Sequence, residues 1–495
     1  MTMHNPAAGG DWSGLIADLA APYAADLFPA NPARAPGAEP RLDEAFSQSV
    51  LDSLPTGAAV SASSVPAVPE IPRTAGSWRN GFRPMVLPKE GKSSGNWDAG
   101  AIRQDFPILF EKVEEKRLVW LDNGATTQKP RQVIDRLVRY YERENSNIHR
   151  SAHTLAARAS DAFEKARATA AAFLGAPSSE NIVFVRGTTE GINLAASACR
   201  SRLAPGDEIV VSHLEHHANI VPWQIVCQET GAILKVIPVD DRGVLRLDEY
   251  GRLLGPRTKI VAATQVSNVL GTIVPVREII EAAHRVGAIA LIDGAQSAAH
   301  MPVNVTELDC DFFVFSGHKA YGPTGIGVLY GKREILDAMP PYQSGGNMIA
   351  DVTFEQTLYH PPPARFEAGT ANIAGAIGLG TALEYLADLG MSAVSLRETE
   401  IATHATEALC GVNGLRLLGQ APEKAGVFSF IINGIANEAI SNRLKAEGIA
   451  VRVGHHCAQP ILRRFGLEKC VRASLGVYNT KEEIDFLASI LKTLK

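Results

Sequence analysis

From Asp105 onward, short apolar and β-branched runs alternate with stretches of helical spacing. The runs are VWLDN (119–123), NIVFVRG (181–187), EIVVSHLEH (208–216), KIVAATQVSN (259–268), IALIDGAQ (289–296) and DFFVFSGHK (311–319). Most are apolar at successive positions, as strands covered on both faces are, so they predict a mainly parallel sheet between helical layers. Past about Arg365 the texture changes. One long helical stretch over 377–409 precedes strand candidates at 426–432 and 449–454. A closing helix over 481–494 starts after Asn479-Thr480, which suits an N-terminal cap. The pattern predicts an α/β fold with a large domain, 96–365, whose first residues can pack with a smaller C-terminal α+β domain, 366–495.

Residues 1–95 read differently. They hold 12 of the 29 prolines, and their few large apolar groups do not offset the entropy of ordering them. They are expected to form a flexible, disordered N-terminal arm. Leu15, Leu19, Tyr23 and Leu27 recur every four positions, as do Leu42, Phe46 and Val50 between Pro40 and Pro55. Pieces this short are not stable helices alone, but each can fold onto a partner's groove. A solvated tail with chance periodicity accounts for them equally well.

Composition narrows the class. With 46% hydrophobic residues the chain is not wholly disordered, and a net charge of -5 without a basic stripe argues against nucleic acid as partner. No run approaches the ~18 apolar residues that cross a bilayer, and the first ten residues lack a secretory pattern. Six scattered cysteines (199, 227, 310, 410, 457, 470) form no CxxC pair, so neither a zinc ribbon nor a disulfide scaffold is expected. A reduced, cytoplasmic protein is the expectation. His216-His217 alone suggests no metal, because neighbours on a strand face opposite ways and no carboxylate stands at a suitable spacing.

Three polar sequences stand where strands of such a sheet end, and ligands bind there. Arg186-Gly187-Thr188-Thr189-Glu190-Gly191-Ile192-Asn193 runs from a strand into a helix, so free N–H groups and hydroxyls can cradle a phosphate. By itself it is as well read as a capped turn. Asp293-Gly294-Ala295-Gln296 places an acid at a strand end, as a cap or as the partner that keeps a pyridine nitrogen protonated. Ser316-Gly317-His318-Lys319 brings a lysine out of an apolar strand, where desolvation lowers its pKa and favours a Schiff base. A lone lysine of this kind is more often a loop residue. Together the three supply a phosphate cradle, an acid and a Schiff-base lysine for one crevice.

With these motifs the chain resembles the fold-type I pyridoxal-phosphate enzymes of the class V aminotransferase superfamily. More narrowly it resembles the SufS-type (group II) cysteine desulfurases and selenocysteine lyases. The resemblance runs from about Asp105 to Lys495 and is carried by FVRGTTEGIN, EHHANIVPW, SNVLGT, DGAQ, DFFVFSGHKAYGPTGIG, RFEAGT, RVGHHCAQP and VRASLGVYNT, in the family's order. It implies Lys319 as the Schiff-base lysine of pyridoxal 5'-phosphate, Asp293 at the pyridine nitrogen, Gln296 at the phenolic oxygen and His216 stacked on the ring. Thr188, Thr189, Ser316 and His318 would hold the phosphate, with Thr370 arriving from the second subunit of a homodimer. Asn268 and Arg472 would bind the substrate carboxylate, a task for which a guanidinium fork is suited. Arg452, His149 and Arg150 complete the substrate side, and Cys457 is the catalytic cysteine.

The implied reaction converts L-cysteine to L-alanine and leaves a persulfide on Cys457, with the thiolate as nucleophile. The sulfur would pass to an acceptor protein or a thiol reductant, for iron–sulfur cluster assembly or for sulfur storage. Selenocysteine lyase is the nearest alternative; a catalytically idle scaffold that binds partners through the arm is one of another class. Free-standing members lack such an arm. Extended ones resemble cargo enzymes of encapsulin shells, which implies a shell-directed role for residues 1–95 and a place inside a nanocompartment.

Overall fold

The computed structural model describes residues 97–148 and 152–494. Both predicted pieces of the arm therefore lie outside the described residues, as do His149 and Arg150. All described residues belong to one compact unit.

Seven strands form the large sheet: β1 (Ile182–Val185), β2 (Glu208–Ser212), β3 (Ile233–Ile237), β4 (Thr258–Thr264), β5 (Ile289–Asp293), β6 (Phe312–Ser316) and β7 (Gly327–Gly331), in the order β1-β7-β6-β5-β4-β2-β3. From β6 to β3 every pairing is parallel, and only β7 runs antiparallel to both of its neighbours. All residues of β1, β2, β5's last four positions, β6 and β7 are buried. That explains why the predicted runs showed no alternation. β3 is one of the two edge strands; Ile233 and Val236 are exposed and Lys235 interrupts its apolar run. That broken pattern, and the glycines bounding β7, are why neither strand stood out in the sequence.

Of the helices α1 (Arg131–Arg143), α2 (Thr154–Leu174) and α3 (Thr188–Cys199), α2 packs against β1 and α3 against β6 and β7. The stretch 377–409, expected as one helix, is two: α4 (Ile373–Leu389) and α5 (Met391–Cys410). Gly390 breaks them, its φ of 79° lying where side-chain-bearing residues are strained. α4 packs on α1 and α2, whereas α5 packs on the last helix, α6 (Lys481–Leu491). α6 ends three residues before the expected boundary and carries a full capping box between Thr480 and Glu483.

A second, antiparallel sheet has the order β8-β9-β11-β10, from β8 (Leu415–Leu418), β9 (Val427–Ile432), β10 (Arg452–Gly454) and β11 (Cys470–Ser474). The VWLDN run does not join the large sheet. Val119–Trp120 pairs in parallel with Ile449–Ala450, outside both sheets. This pairing delivers Asp122 to the edge of the second sheet, where it bridges Ser474. A buried ion pair, Arg103 to Glu483 at 2.7 Å, ties the first described helix to α6.

Candidate active site

The large sheet's strands end where the predicted motifs stand. Lys319 closes a single 3-10 turn, Gly317–Lys319, directly after β6. Its amine forms no hydrogen bond or ion pair among the described residues, and burial pulls its pKa down to about 8, with Asp293 acting the other way. Arg472, Cys457 and Arg452 also lie within electrostatic reach of it. Asp293 ends β5 and is 3% exposed. Burial pushes its carboxyl pKa up, while the Ala295 N–H, 2.8 Å from Oδ1, holds it down. That bond is the only one its carboxylate accepts among the described residues.

Thr188 opens α3, and its N–H donates to Ser316 Oγ at 2.8 Å; the two hydroxyls also lie 2.8 Å apart. A helix start and two hydroxyls are thus joined across β1 and β6, the donor set an oxyanion requires. A Cβ at Gly187 would approach Ser316 Oγ to 3.1 Å, which shows how closely the backbone passes. His318 follows; burial, then the positive Lys319 and Lys129, lower its pKa to about 4. His216 is not on a strand but caps a short turn, its Nδ1 accepting the Ala218 N–H at 3.0 Å. Burial and Lys319 depress its pKa to about 3, so the ring is neutral. Gln296 Nε2 donates to Gly124 O at 2.8 Å.

The loop after β10 of the second sheet carries Cys457. Cys457 is exposed, and both it (φ 55°) and His456 (φ 51°) sit in the left-handed region. Such residues cost of order 1–3 kcal/mol each and persist only where neighbours hold them. Here the His217 N–H donates to Cys457 O at 2.7 Å, and the Cys457 N–H to His455 Nδ1 at 3.0 Å. Asn268 Nδ2 donates to His456 O at 2.7 Å. Burial raises the thiol pKa of Cys199 and Cys310 to about 12 and of Cys470 to about 11, which makes them inert.

Sequence reading missed the residue that joins the halves. Asp122 takes Arg452 in a fork, Nη2 to Oδ2 at 2.9 Å, and accepts from Arg472 Nη2 at 3.3 Å. Its only signal was an acid ending an apolar run. Arg472, in β11, is 2% exposed and donates from Nη1 to Asn268 O at 3.0 Å. Arg472 Nε and Asn268 Oδ1 are buried with no hydrogen-bond partner among the described residues. Missed too was Glu215, fully buried, its pKa raised to about 8 by burial; it accepts from Thr264 N–H and Asn219 Nδ2 and so fixes the corner before His216.

Asp293, Lys319, His216, Arg452, Arg472 and Cys457 are thus brought into one electrostatic neighbourhood. Thr189 and Thr370 are exposed and reach none of these residues through a described contact. His217 departs from the expected picture. With His455 and Cys457 it brings potential metal-ligand atoms within 4.8 Å of one another. Each imidazole, however, already commits a lone pair to a backbone N–H, His217 Nε2 to Gln459 at 3.1 Å and His455 Nδ1 to Cys457. The trio acts as a clamp on the loop.

Residues 119–487 match the family model described as Aminotransferase class-V. The chain belongs to the class V aminotransferase family. Among its relatives, a cysteine desulfurase of Synechococcus elongatus is 62% identical over 413 residues, 83% of this chain and 66% of that one. A probable cysteine desulfurase of Mycolicibacterium paratuberculosis is 61% identical over 80% of this chain, which spans 58% of its length. A probable cysteine desulfurase of Vibrio cholerae is 48% identical over 79% of this chain and 97% of its own. Among solved structures, the Escherichia coli cysteine desulfurase CsdA superposes with a TM-score of 0.74 at 40% identity, covering 81% of this chain and 98% of that one.

For this class V member, Asp122 makes a stability prediction. Asp122→Ala leaves the Arg472 guanidinium buried without its carboxylate, a loss expected to cost about 3–5 kcal/mol in denaturant unfolding. A loss under about 1 kcal/mol, the value of an exposed pair, contradicts this role.

Proposed function

We propose that the chain is a pyridoxal-phosphate-dependent cysteine desulfurase that turns L-cysteine into L-alanine and holds the sulfur as a persulfide on Cys457. The observation that carries this reading is the meeting of a desolvated Lys319 amine with an exposed Cys457 thiol, beside relatives named cysteine desulfurase. The residues fit the cofactor. Asp293, buried with a raised pKa and a single backbone N–H as partner, suits a protonated pyridine nitrogen, which would restore its charge. Thr188, Ser316 and the start of α3 suit the phosphate, with Thr189, His318 and the second subunit's contribution at Thr370 around them. His216, neutral, suits stacking on the ring, and Gln296 the phenolic oxygen. When bound, the cofactor supplies an electron sink for the pair released at the substrate's Cα.

This chain's residues do the rest. Arg472 and Asn268 take the substrate carboxylate, which accepts from the unpartnered Arg472 Nε and from the Asn268 Nδ2 hydrogen not given to His456 O. Arg452, held by Asp122, joins them, and the family resemblance assigns His149 and Arg150 to the substrate too. Lys319, with a pKa of about 8, exchanges protons near neutral pH: it takes one from Cα and makes one available for Cβ. The Cys457 thiolate attacks the substrate sulfur, a sulfur–sulfur bond forms, and the Cβ–sulfur bond breaks. Atoms balance as L-cysteine plus thiol giving L-alanine plus persulfide.

The product must then be discharged by a thiol reductant or an acceptor protein. The working unit is a homodimer, and residues 1–95 direct it to a shell. Deleting 1–95 is expected to abolish co-purification with an encapsulin shell and to spare turnover; retained loading overturns that part alone.

Incubation with L-cysteine tests the chemistry. Wild type is expected to show a Schiff-base absorption band, absent in Lys319→Ala, and to form alanine and sulfide. Cys457→Ala should lose cysteine turnover about 10³-fold or more, as on removal of a nucleophile. A band without cysteine turnover redirects the reading to selenocysteine, and no band leaves only a scaffold.

A further inference from the structure

The turn that carries Asn268 is held by four consecutive backbone carbonyls. Those of Asn268, Val269, Leu270 and Gly271 accept, in order, from Arg472 Nη1 at 3.0 Å, Ser429 Oγ at 2.6 Å, Lys424 Nζ, and the Ala425 N–H at 2.8 Å. All four donors belong to the second sheet or to the segment leading into it. Thr272 and Lys424 add an antiparallel bridge, and the Ile273 N–H donates to Glu423 O at 3.2 Å. The approach leaves no room for a side chain at Gly271 (φ 71°): a Cβ there would lie 2.7 Å from Val427 O and 3.1 Å from Lys424 Nζ.

Lys424 is the costly member of this strap. It is 6% exposed and forms no ion pair among the described residues; its ammonium stands 5.5 Å from the centre of the Phe428 ring. A buried cation without a carboxylate is expensive, and an apolar side chain of similar length would spare that expense. What Lys424 provides is a charged donor on Leu270 O, two residues from Asn268. Asn268 in turn holds Arg472 through its carbonyl and His456 through its amide.

We propose that Lys424 is a positioning residue for the substrate-carboxylate site, setting the place of Asn268 and, through it, of Arg472. This rests on the reading that those two residues bind the carboxylate. The titratable groups facing Lys424 are His300 and Glu398, an ion pair at 2.8 Å that lines a cavity of about 20 Å³ with it, and Glu423 beside it in the chain. Burial lowers the pKa of Lys424 to about 7. The strap is therefore charged below that pH and carries only a neutral amine above it.

Steady-state kinetics of the full-length holoenzyme with L-cysteine test this with Lys424→Met. At about pH 6 the variant's KM is expected to rise about 10-fold over wild type, the scale of one charge-assisted hydrogen bond, with kcat within about twofold. At about pH 9, where the wild-type amine is neutral as well, that KM ratio is expected to shrink. The ratio cancels titration of the substrate itself. An unchanged KM, a loss confined to kcat, or a ratio that does not move with pH overturns the proposal. Lys424→Gln keeps a neutral donor and serves where the methionine variant does not fold; its KM is expected to rise less, and no rise at pH 6 overturns the proposal equally. Arg472→Lys separates the two readings. If it leaves KM unchanged, the carboxylate assignment itself fails; if it raises KM while Lys424→Met does not, only the role of Lys424 fails.

Discussion

The Asp122 carboxylate, shared between the guanidiniums of Arg452 and Arg472, is the interaction on which the rest of the site depends. Two cations from neighbouring antiparallel strands repel each other, and one of them is almost fully buried. Without an anion between them the second sheet could not present both to the same crevice. The anion comes from far away in sequence. It is carried in by the short parallel pairing of Val119–Trp120 with Ile449–Ala450, and Ser474 N–H donating to Leu121 O at 2.7 Å fixes its height. A segment with no place in either sheet thus supplies the anion for two arginines of the second.

A second constraint is conformational. The Cys457 loop holds two consecutive residues in left-handed backbone, and its carbonyl, its amide and the preceding carbonyl are each gripped by a different neighbour. Two of those neighbours, His217 and Asn268, sit on loops after strands of the large sheet. The thiol is therefore exposed on a loop that is not free to wander. That rigidity suits the role proposed for Cys457, a nucleophile that meets a substrate held by Arg472 and Asn268 beside Lys319. It also explains why His217 and His455, whose ring atoms stand near the Cys457 sulfur, serve as hydrogen-bond acceptors.

The strand ends were legible in the sequence because chemistry and pattern coincide there: β5 running into Asp293 and β6 into Lys319 are apolar runs that stop at a polar group. Thr188 after Gly187 was legible for the same reason. Where pattern and partner separate, the sequence was silent. Asp122 looked like the end of one more core strand, since nothing local reveals two arginines more than 300 residues away. The long helix expected over 377–409 failed at one residue, Gly390, whose break depends on a backbone conformation that periodicity does not encode. Lys424 carried no motif, because its role lies in which carbonyl it meets. The motifs grouped as a resemblance to cysteine desulfurases agree with the family to which the chain belongs.

The claim at the centre is that sulfur leaves L-cysteine for Cys457 and for no other thiol of this chain. Mass spectrometry of the holoenzyme, digested under non-reducing conditions after brief exposure to L-cysteine and alkylation, addresses it directly. The account predicts one added sulfur on the peptide that contains Cys457, and none on those with Cys199, Cys227, Cys310, Cys410 or Cys470. Alanine formed while the Cys457 peptide gains no sulfur, or an added sulfur on another cysteine instead, would contradict it.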